Sequence, residues 1–331
     1  MDILFIGGTG VISSACTALA AERGYNITLL NRGETGRSVP DQVNRLEGNI
    51  RRPENVRSVL DGKTFDVVVN WVAFHPGHIE TDLELFRGKT AQYVFISSAS
   101  AYQTPPAHLP ITESTPLDNP FWDYSQKKIA CEERLIQANR EENFPVTIVR
   151  PSHTYDQTLL PCHGQYTTVD RMRRGKPVIV HGDGTSLWTL THHRDFARGF
   201  VGLLGNPHAL GDVFQITSDE WLTWNQIYSL IGQAAGVEPE LVPVPSRFIA
   251  AFDSEWGSGL LGDKAHSMIF DNTKIKRMVP DYQAVIPFHR GVQEILNWFD
   301  ADPARQAVDE ELNQTMDDII SAYRSVWPDP N

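Results

Sequence analysis

This chain of 331 residues contains only three cysteines, Cys16, Cys131 and Cys162. They are too few and too scattered for a disulfide framework or a metal site, which fits a reducing compartment. No run approaches the roughly 18 apolar residues that span a bilayer, so no membrane partner is expected. The chain opens directly on a strand-like run, without the basic segment and long apolar stretch of a leader, so a cytoplasmic location is expected. Positive charge is also in deficit: 29 Lys and Arg face 41 Asp and Glu, for a net charge of −12. A general nucleic-acid binder needs a basic footprint, so a nucleic-acid partner is not expected. The local basic run Arg171-Met172-Arg173-Arg174-Gly175-Lys176 reads as a solvated helix end. Internal repeats and low-complexity segments are absent.

What the chain does have is alternation. Apolar runs at 3–6, 27–30, 67–69, 93–96 and 146–149 are short, β-branched and apolar on both faces, as buried parallel strands are. Helical patterns lie between them at 15–23, 53–60, 76–86 and 124–140. This predicts an α/β fold with a doubly wound parallel sheet and helices on both faces. After Pro151 the pattern changes. Strand-like runs at 178–180 and 213–216 mix with helical runs at 223–235, 286–299 and 308–326, and with loops at 241–245 and 257–263. We read residues 1–160 plus about 190–216 as one domain. Residues from about 161 to 189, with 217–331, read as a smaller mixed α/β substrate-binding portion. Ligands of open α/β sheets sit at the carboxyl ends of the strands, so the cleft between the two portions is the expected site.

The first strand runs into Gly7-Gly8-Thr9-Gly10-Val11-Ile12-Ser13. Gly7 lets the backbone turn sharply at φ > 0. Gly10 lets the main chain approach a pyrophosphate, and the helix that follows offers N–H groups and a positive dipole end. Ser13 is small enough for the third position of such a fingerprint, where helix and strand pack closely. Further on, Tyr124 and Lys128 are four residues apart and share a helix face. A phenol is a poor acid or base near neutrality, and a neighbouring ammonium favours its ionised form. The run Phe95-Ile96-Ser97-Ser98-Ala99-Ser100-Ala101-Tyr102 puts hydroxyls at the carboxyl end of a strand. Together the three features point to nicotinamide redox chemistry.

The motifs GGTGVIS, ISSASAY, YSQKK, IVRPSHTYD and HGDGTS…HHRDFA resemble those of the NAD(P)-dependent epimerase/dehydratase family, the extended short-chain dehydrogenases/reductases. LLNRGET and VVVNWVAFHP are similar to its atypical branch of chloroplast stem-loop-binding proteins. The resemblance covers nearly the whole chain and implies a Rossmann fold. It implies Ser98 as the catalytic hydroxyl, Tyr124 as acid/base, and Lys128 as the residue that holds the nicotinamide ribose and tunes the tyrosine. It further implies a cofactor-binding set of Gly7, Gly8, Thr9, Gly10, Val11, Ile12, Asn31, Arg32, Asn49, Ile50, Val72, Ala73, Ser97, Pro151 and Ser152. Ser100, His153 and Trp188 would face the substrate.

Four departures from the family pattern bear on chemistry. Asn31 and Arg32 stand where NAD users carry an acid, so NADP is favoured over NAD. Asn49 replaces an aspartate that meets the adenine, though its amide oxygen still accepts a hydrogen bond. Trp188 replaces an arginine that clamps a diphosphate, which favours a smaller sugar or polyol over a nucleotide sugar. Ala99 and Ser100 replace the Asp-Glu pair of the 4,6-dehydratases, which leaves epimerisation or oxidation/reduction. His192, His193 and Asp195 do not read as a metal site, because adjacent strand residues face opposite ways. Asp195 reads instead as the cap of a helix at 196–204. Family resemblance also implies a homodimer through the helix at 124–140, which carries Ile129, Leu135 and Ile136. The expected function is an NAD(P)-dependent oxidoreductase or epimerase acting on a sugar or nucleotide-sugar hydroxyl or ketone. The alternative is a non-catalytic or RNA-associated dinucleotide-binding protein of the same fold.

Overall fold

The computed structural model describes residues 1–33 and 37–326. Residues 34–36, the first two of which end the LLNRGET motif, lie outside the described residues, as do residues 327–331. In chain order the first elements are β1 (Asp2–Ile6), α1 (Val11–Glu22), β2 (Asn26–Asn31), β3 (Asn44–Glu47), α2 (Pro53–Val59), β4 (Phe65–Asn70), α3 (Pro76–Phe86), β5 (Thr90–Ile96), α4 (Asp123–Glu142) and β6 (Val146–Pro151). Then come β7 (His153–Tyr155), α5 (Tyr166–Arg173), β8 (Val178–His181), β9 (Leu187–Trp188), β10 (Leu190–His192), α6 (His193–Val201) and β11 (Asp212–Ile216). The remainder is β12 (Leu222–Thr223), α7 (Trp224–Ala235), β13 (Leu241–Val244), α8 (Ser246–Phe252), α9 (Ser254–Gly259), α10 (Thr273–Met278), α11 (Phe288–Asp300) and α12 (Glu310–Ser325).

Seven strands form one parallel sheet in the order β11-β6-β5-β4-β1-β2-β3. This is the doubly wound arrangement, with the order reversing beside β1. Ile3, Phe5, Val67, Val69 and Val94 face α1 and α6, whereas Leu4, Val68, Tyr93, Phe95 and Ile148 face α3 and α4. The short pairs β10-β7, β12-β9 and β13-β8 lie outside the large sheet. Around them Trp188, Trp224, Ile227, Phe288 and Leu296 form a separate core.

Several expectations need correction. Residues 241–245 are not a loop: β13 pairs in parallel with β8. Residues 257–263 are not a loop either, being the end of α9 and a π-helical turn, Leu260–Lys264. Asp195 is not a helix cap. His192 caps α6, its Nδ1 accepting from Arg194 N at 3.2 Å, while Asp195 is buried within the first turn, pairs with Arg198 and accepts from Ile286 N at 2.8 Å. The basic run is a solvated helix end only in part: Arg174 at the end of α5 is exposed, whereas Arg171 is not. Arg171 is fully buried and donates to the Pro177 carbonyl, to Asn313 and to Asp317. Ile275, Val279 and Tyr282, read as part of the smaller portion, pack with the large sheet. Of the apolar residues on α4, Leu135 is fully buried against the sheet and Ile136 packs beside it.

Candidate active site

The turn after β1 has the geometry the sequence suggests, with one addition. Gly7 and Gly8 both have positive φ, 102° and 95°. A Cβ on Gly8 would lie 2.5 Å from Leu29. Gly10 has ordinary φ and serves as N-cap of α1, where its N–H donates to Ser13 Oγ at 2.7 Å. Ser13 therefore closes the turn as well as packing against it.

A groove of about 440 Å³ runs past this turn, lined by residues 7–13 together with Trp71, Val72, Ile96, Ser97, Ser98, Tyr124, Lys128, Pro151 and Ser152. At one end it shares Gly7, Thr9, Val72 and Phe74 with a cavity of about 380 Å³, whose further lining includes Asn31, Arg32, Asn49, Ile50, Arg51 and His78. At the other end it shares Ser98, Tyr124, Pro151, Ser152 and Thr154 with a cavity of about 410 Å³. That cavity is also lined by Ser100, Trp122, His153, Trp188, Asp263 and Lys264. Thus every expected cofactor residue lies along the groove or its first cavity except Ala73, which is fully buried and whose carbonyl accepts from Lys128 Nζ. The three expected substrate residues line the last cavity. Trp122, Thr154, Asp263, Lys264 and Arg51 were not singled out from sequence.

Around the presumptive reaction centre the contacts are specific. Ser98 ends the strand-to-turn transition and accepts from Ser100 N at 3.2 Å. Its hydroxyl continues a chain through Ser100 Oγ, at 2.9 Å, to Ser125 Oγ, at 2.8 Å. Burial pushes the Tyr124 phenol up to about 12, with the Ser98 hydroxyl opposing and Asp263 and Cys131 adding to the rise. Lys128 is buried, and burial pulls its ammonium down to about 8. Its Nζ donates to the carbonyls of Ala73 and Ile96, both at 2.7 Å, and lies 5.8 Å from the Tyr124 ring centre. Lys128 is not among the groups that set the direction of the Tyr124 shift. Burial dominates, and the ammonium is turned to backbone carbonyls.

On the far wall, His153 Nδ1 accepts from Trp188 Nε1 at 3.0 Å, which leaves the ring proton on Nε2. Burial pulls His153 down to about 3, so the ring is neutral at ordinary pH. Lys264 pairs with Asp263 at 3.2 Å, and its segment is fixed by Asn119 donating to the Gly262 carbonyl and His181 to the Lys264 carbonyl.

A family model described as "NAD dependent epimerase/dehydratase family" matches residues 3–217. The chain belongs to this family. Among curated relatives, the chloroplast stem-loop binding protein of 41 kDa b from Arabidopsis thaliana is 27% identical over 72% of this chain, a match that spans 65% of that protein. The 2′-dehydrokanamycin reductase of Streptomyces kanamyceticus is 24% identical over 86% of this chain and 80% of its own length. A crystal structure of UDP-glucose 4-epimerase from Bifidobacterium longum with NAD+ and UDP superposes with a TM-score of 0.72 at 19% identity, covering 92% of this chain and 99% of that one. Identity at that level establishes a common fold.

The groove fits the dinucleotide that the family name implies. Two buried polar atoms that line it, Ser97 Oγ and Trp71 Nε1, have no hydrogen-bond partner among the described residues. Buried polar groups are normally satisfied, so such atoms mark a place for a polar ligand. His192 is not arranged for a metal. His192 uses both ring nitrogens, toward Arg194 N and Glu294. No helix among the described residues is long and apolar enough to cross a membrane.

Proposed function

We propose that this member of the family is an NADP- or NAD-dependent oxidoreductase or epimerase that acts on a secondary hydroxyl or ketone of a sugar. The carrying observation is a shared wall: Ser98 and Tyr124 line both the dinucleotide groove and the adjoining cavity. When bound, the nicotinamide gives or takes the hydride. Ser98 Oγ, steadied by the Ser100–Ser125 hydroxyl chain, holds the substrate oxygen. The Tyr124 phenol, protonated at neutral pH, gives its proton to that oxygen during reduction and takes it back during oxidation. Lys128 has used two of its three N–H groups, and the third is available to a ribose hydroxyl. The His153 Nε2–H is a second donor toward the substrate cavity.

The lining favours a sugar or polyol without a diphosphate. Lys264 is the only cation among the residues of that cavity, and it is paired with Asp263. Trp188 cannot neutralise a diphosphate, and Trp122 offers an aromatic face for a sugar ring. The likeness to a 2′-dehydrokanamycin reductase supports a ketone of this kind. Dehydration is disfavoured, because Ala99 and Ser100 beside Ser98 carry no carboxylate. We take the seven-stranded sheet with its helices as the dinucleotide-binding part, and the layer around Trp224 as the substrate-binding part.

The test begins with mass spectrometry of the cofactor retained by purified protein, then a sugar screen at the reduced-nicotinamide absorbance. Tyr124→Phe keeps the ring and should lower turnover about 10²–10⁴-fold with nearly unchanged dinucleotide binding. Wild-type activity in this variant would make Tyr124 a bystander. The second reading, an RNA-associated protein, is motivated by the stem-loop binding relative. Salt-dependent submicromolar RNA binding, unaffected by Tyr124→Phe, would establish it instead.

A further inference from the structure

The adenosine end of the groove has an unusual charge for this chain. Its lining includes Arg32, Arg51 and His78, and no Asp or Glu. A chain of net charge −12 has placed two guanidinium groups at one cavity, with no carboxylate among its described lining residues. The two asparagines there are already engaged through their oxygens. Asn31 Oδ1 accepts from Gly33 N at 3.1 Å, and Asn49 Oδ1 accepts from Arg51 N at 2.9 Å. Neither supplies the carboxylate that a ribose diol calls for. His78 adds no charge at neutral pH. Burial chiefly, with the Arg51 charge adding, pulls it down to about 4.

Arg51 follows β3, yet its guanidinium donates to the carbonyl of Val72, which follows β4. The side chain thus links two segments that both line the cavity. Arg32 comes from the end of β2, on the same rim. The dinucleotide's pyrophosphate would sit at the other end of the groove, on the turn and the α1 N-terminus. Two arginines at the adenosine end are therefore provided for a different anion.

Resting on the dinucleotide reading above, we propose that Arg51 is the second arm of a two-arginine clamp, with Arg32, for the 2′-phosphate of NADP(H). A guanidinium presents planar paired donors that match a phosphate, and two such groups match its dianion better than one. Arg51 exchanges the Val72 carbonyl for phosphate oxygens on binding. Burial lowers its pKa, Arg32 adds to that by like-charge repulsion, and a bound dianion relieves both. The competing role for Arg51 is stacking its flat face on the adenine, which NAD and NADP share.

Titrating the full chain with NADPH and with NADH, followed by calorimetry or nucleotide fluorescence, separates the two roles without any catalytic assay. Wild type should bind NADPH more tightly, and more weakly as salt is raised. Arg51→Ala should weaken NADPH about tenfold or more, as expected for a lost hydrogen bond to a charged group, and leave NADH within about twofold. Arg51→Lys should fall between wild type and Arg51→Ala for NADPH alone. Equal losses for both nucleotides would assign Arg51 to the adenine and overturn the clamp. No loss for either would overturn it as well, with dinucleotide binding itself intact. A wild-type chain that binds neither nucleotide overturns the reading of the groove on which the clamp rests.

Discussion

Asp82 is buried behind the groove, on α3. Tyr93 Oη and Asn70 Nδ2 each donate to its Oδ2 at 2.5 Å, while Oδ1 has no partner among the described residues. Asn70 in turn accepts from Val72 N at 2.8 Å, which ties this carboxyl to the groove wall. Burial raises Asp82 to about 6, with the two hydrogen bonds and Arg51 opposing. The folded state therefore holds its proton more tightly than the unfolded chain. The stabilisation is complete below about pH 4 and is lost as pH rises through about 6. Asp82→Asn keeps an acceptor for Tyr93 and carries no charge. We expect it to be more stable than wild type above pH 7 by up to about 3 kcal/mol, the gap closing below pH 5. Urea unfolding at pH 4.5 and 8 checks this, and a pH-independent gap would show that Asp82 is not the titrating group. At this scale the sequence was informative where chemistry is local: Gly7, Ser98, Tyr124 and Lys128 stand in short motifs. Asp263 and Lys264 were missed because they reach the site from a remote segment with no motif of its own, and Arg51, next to Ile50, because a single arginine after a strand reads as a solvated side chain.

Among the elements, α4 carries both Tyr124 and Lys128 and is locked to β6 by one buried ion pair. Arg150 donates to Glu132 through Nε at 2.9 Å and Nη2 at 2.5 Å, and it stacks 4.7 Å from the Tyr102 ring. Removing one partner leaves a buried charge uncompensated, so Glu132→Gln should cost about 3–5 kcal/mol. Glu132→Leu with Arg150→Met should cost less than Glu132→Gln alone. Denaturant midpoints decide, and a double variant that is the worse of the two would contradict the account. The buried strands and long helices were legible because their periodicity is a consequence of burial itself. β3 was not: Asn44-Arg45-Leu46-Glu47 has one apolar residue, and it lies at the sheet edge beside β2 alone. β13 was hidden by Pro243, which is tolerated because β13 pairs on one side only.

For the molecule as a whole, the large parallel sheet was legible, since five of its seven strands come from the alternating part of the chain before residue 152 and stand out as apolar runs. The assignment of α10 was not, because a short helix after a loop gives no sign of which layer it returns to. Self-association through α4 remains a proposal, with a particular character. Leu135 and Ile136 are used against the sheet, Arg134 bridges Glu80 of α3 and Glu142, and Ile129 alone of the three is half-buried outside the core clusters. A C2 seam there would be polar, so we expect sedimentation at micromolar concentration to show a dimer at low salt that dissociates as salt rises. A monomer at every salt concentration removes the proposal and leaves the fold untouched.

Arg171 has a bearing on how the chain is made. Its guanidinium sits in the interior between α5 and α12, and the groups that satisfy it include Asn313 and Asp317. During synthesis, α5 leaves the ribosome long before those partners do. The parallel sheet from β1 to β6 can begin to assemble while translation continues. The layer around α5 cannot shut over an uncompensated guanidinium. Its closure must wait until residue 317 has emerged, and a nascent chain stalled before that point would offer a half-built substrate cavity to chaperones and proteases.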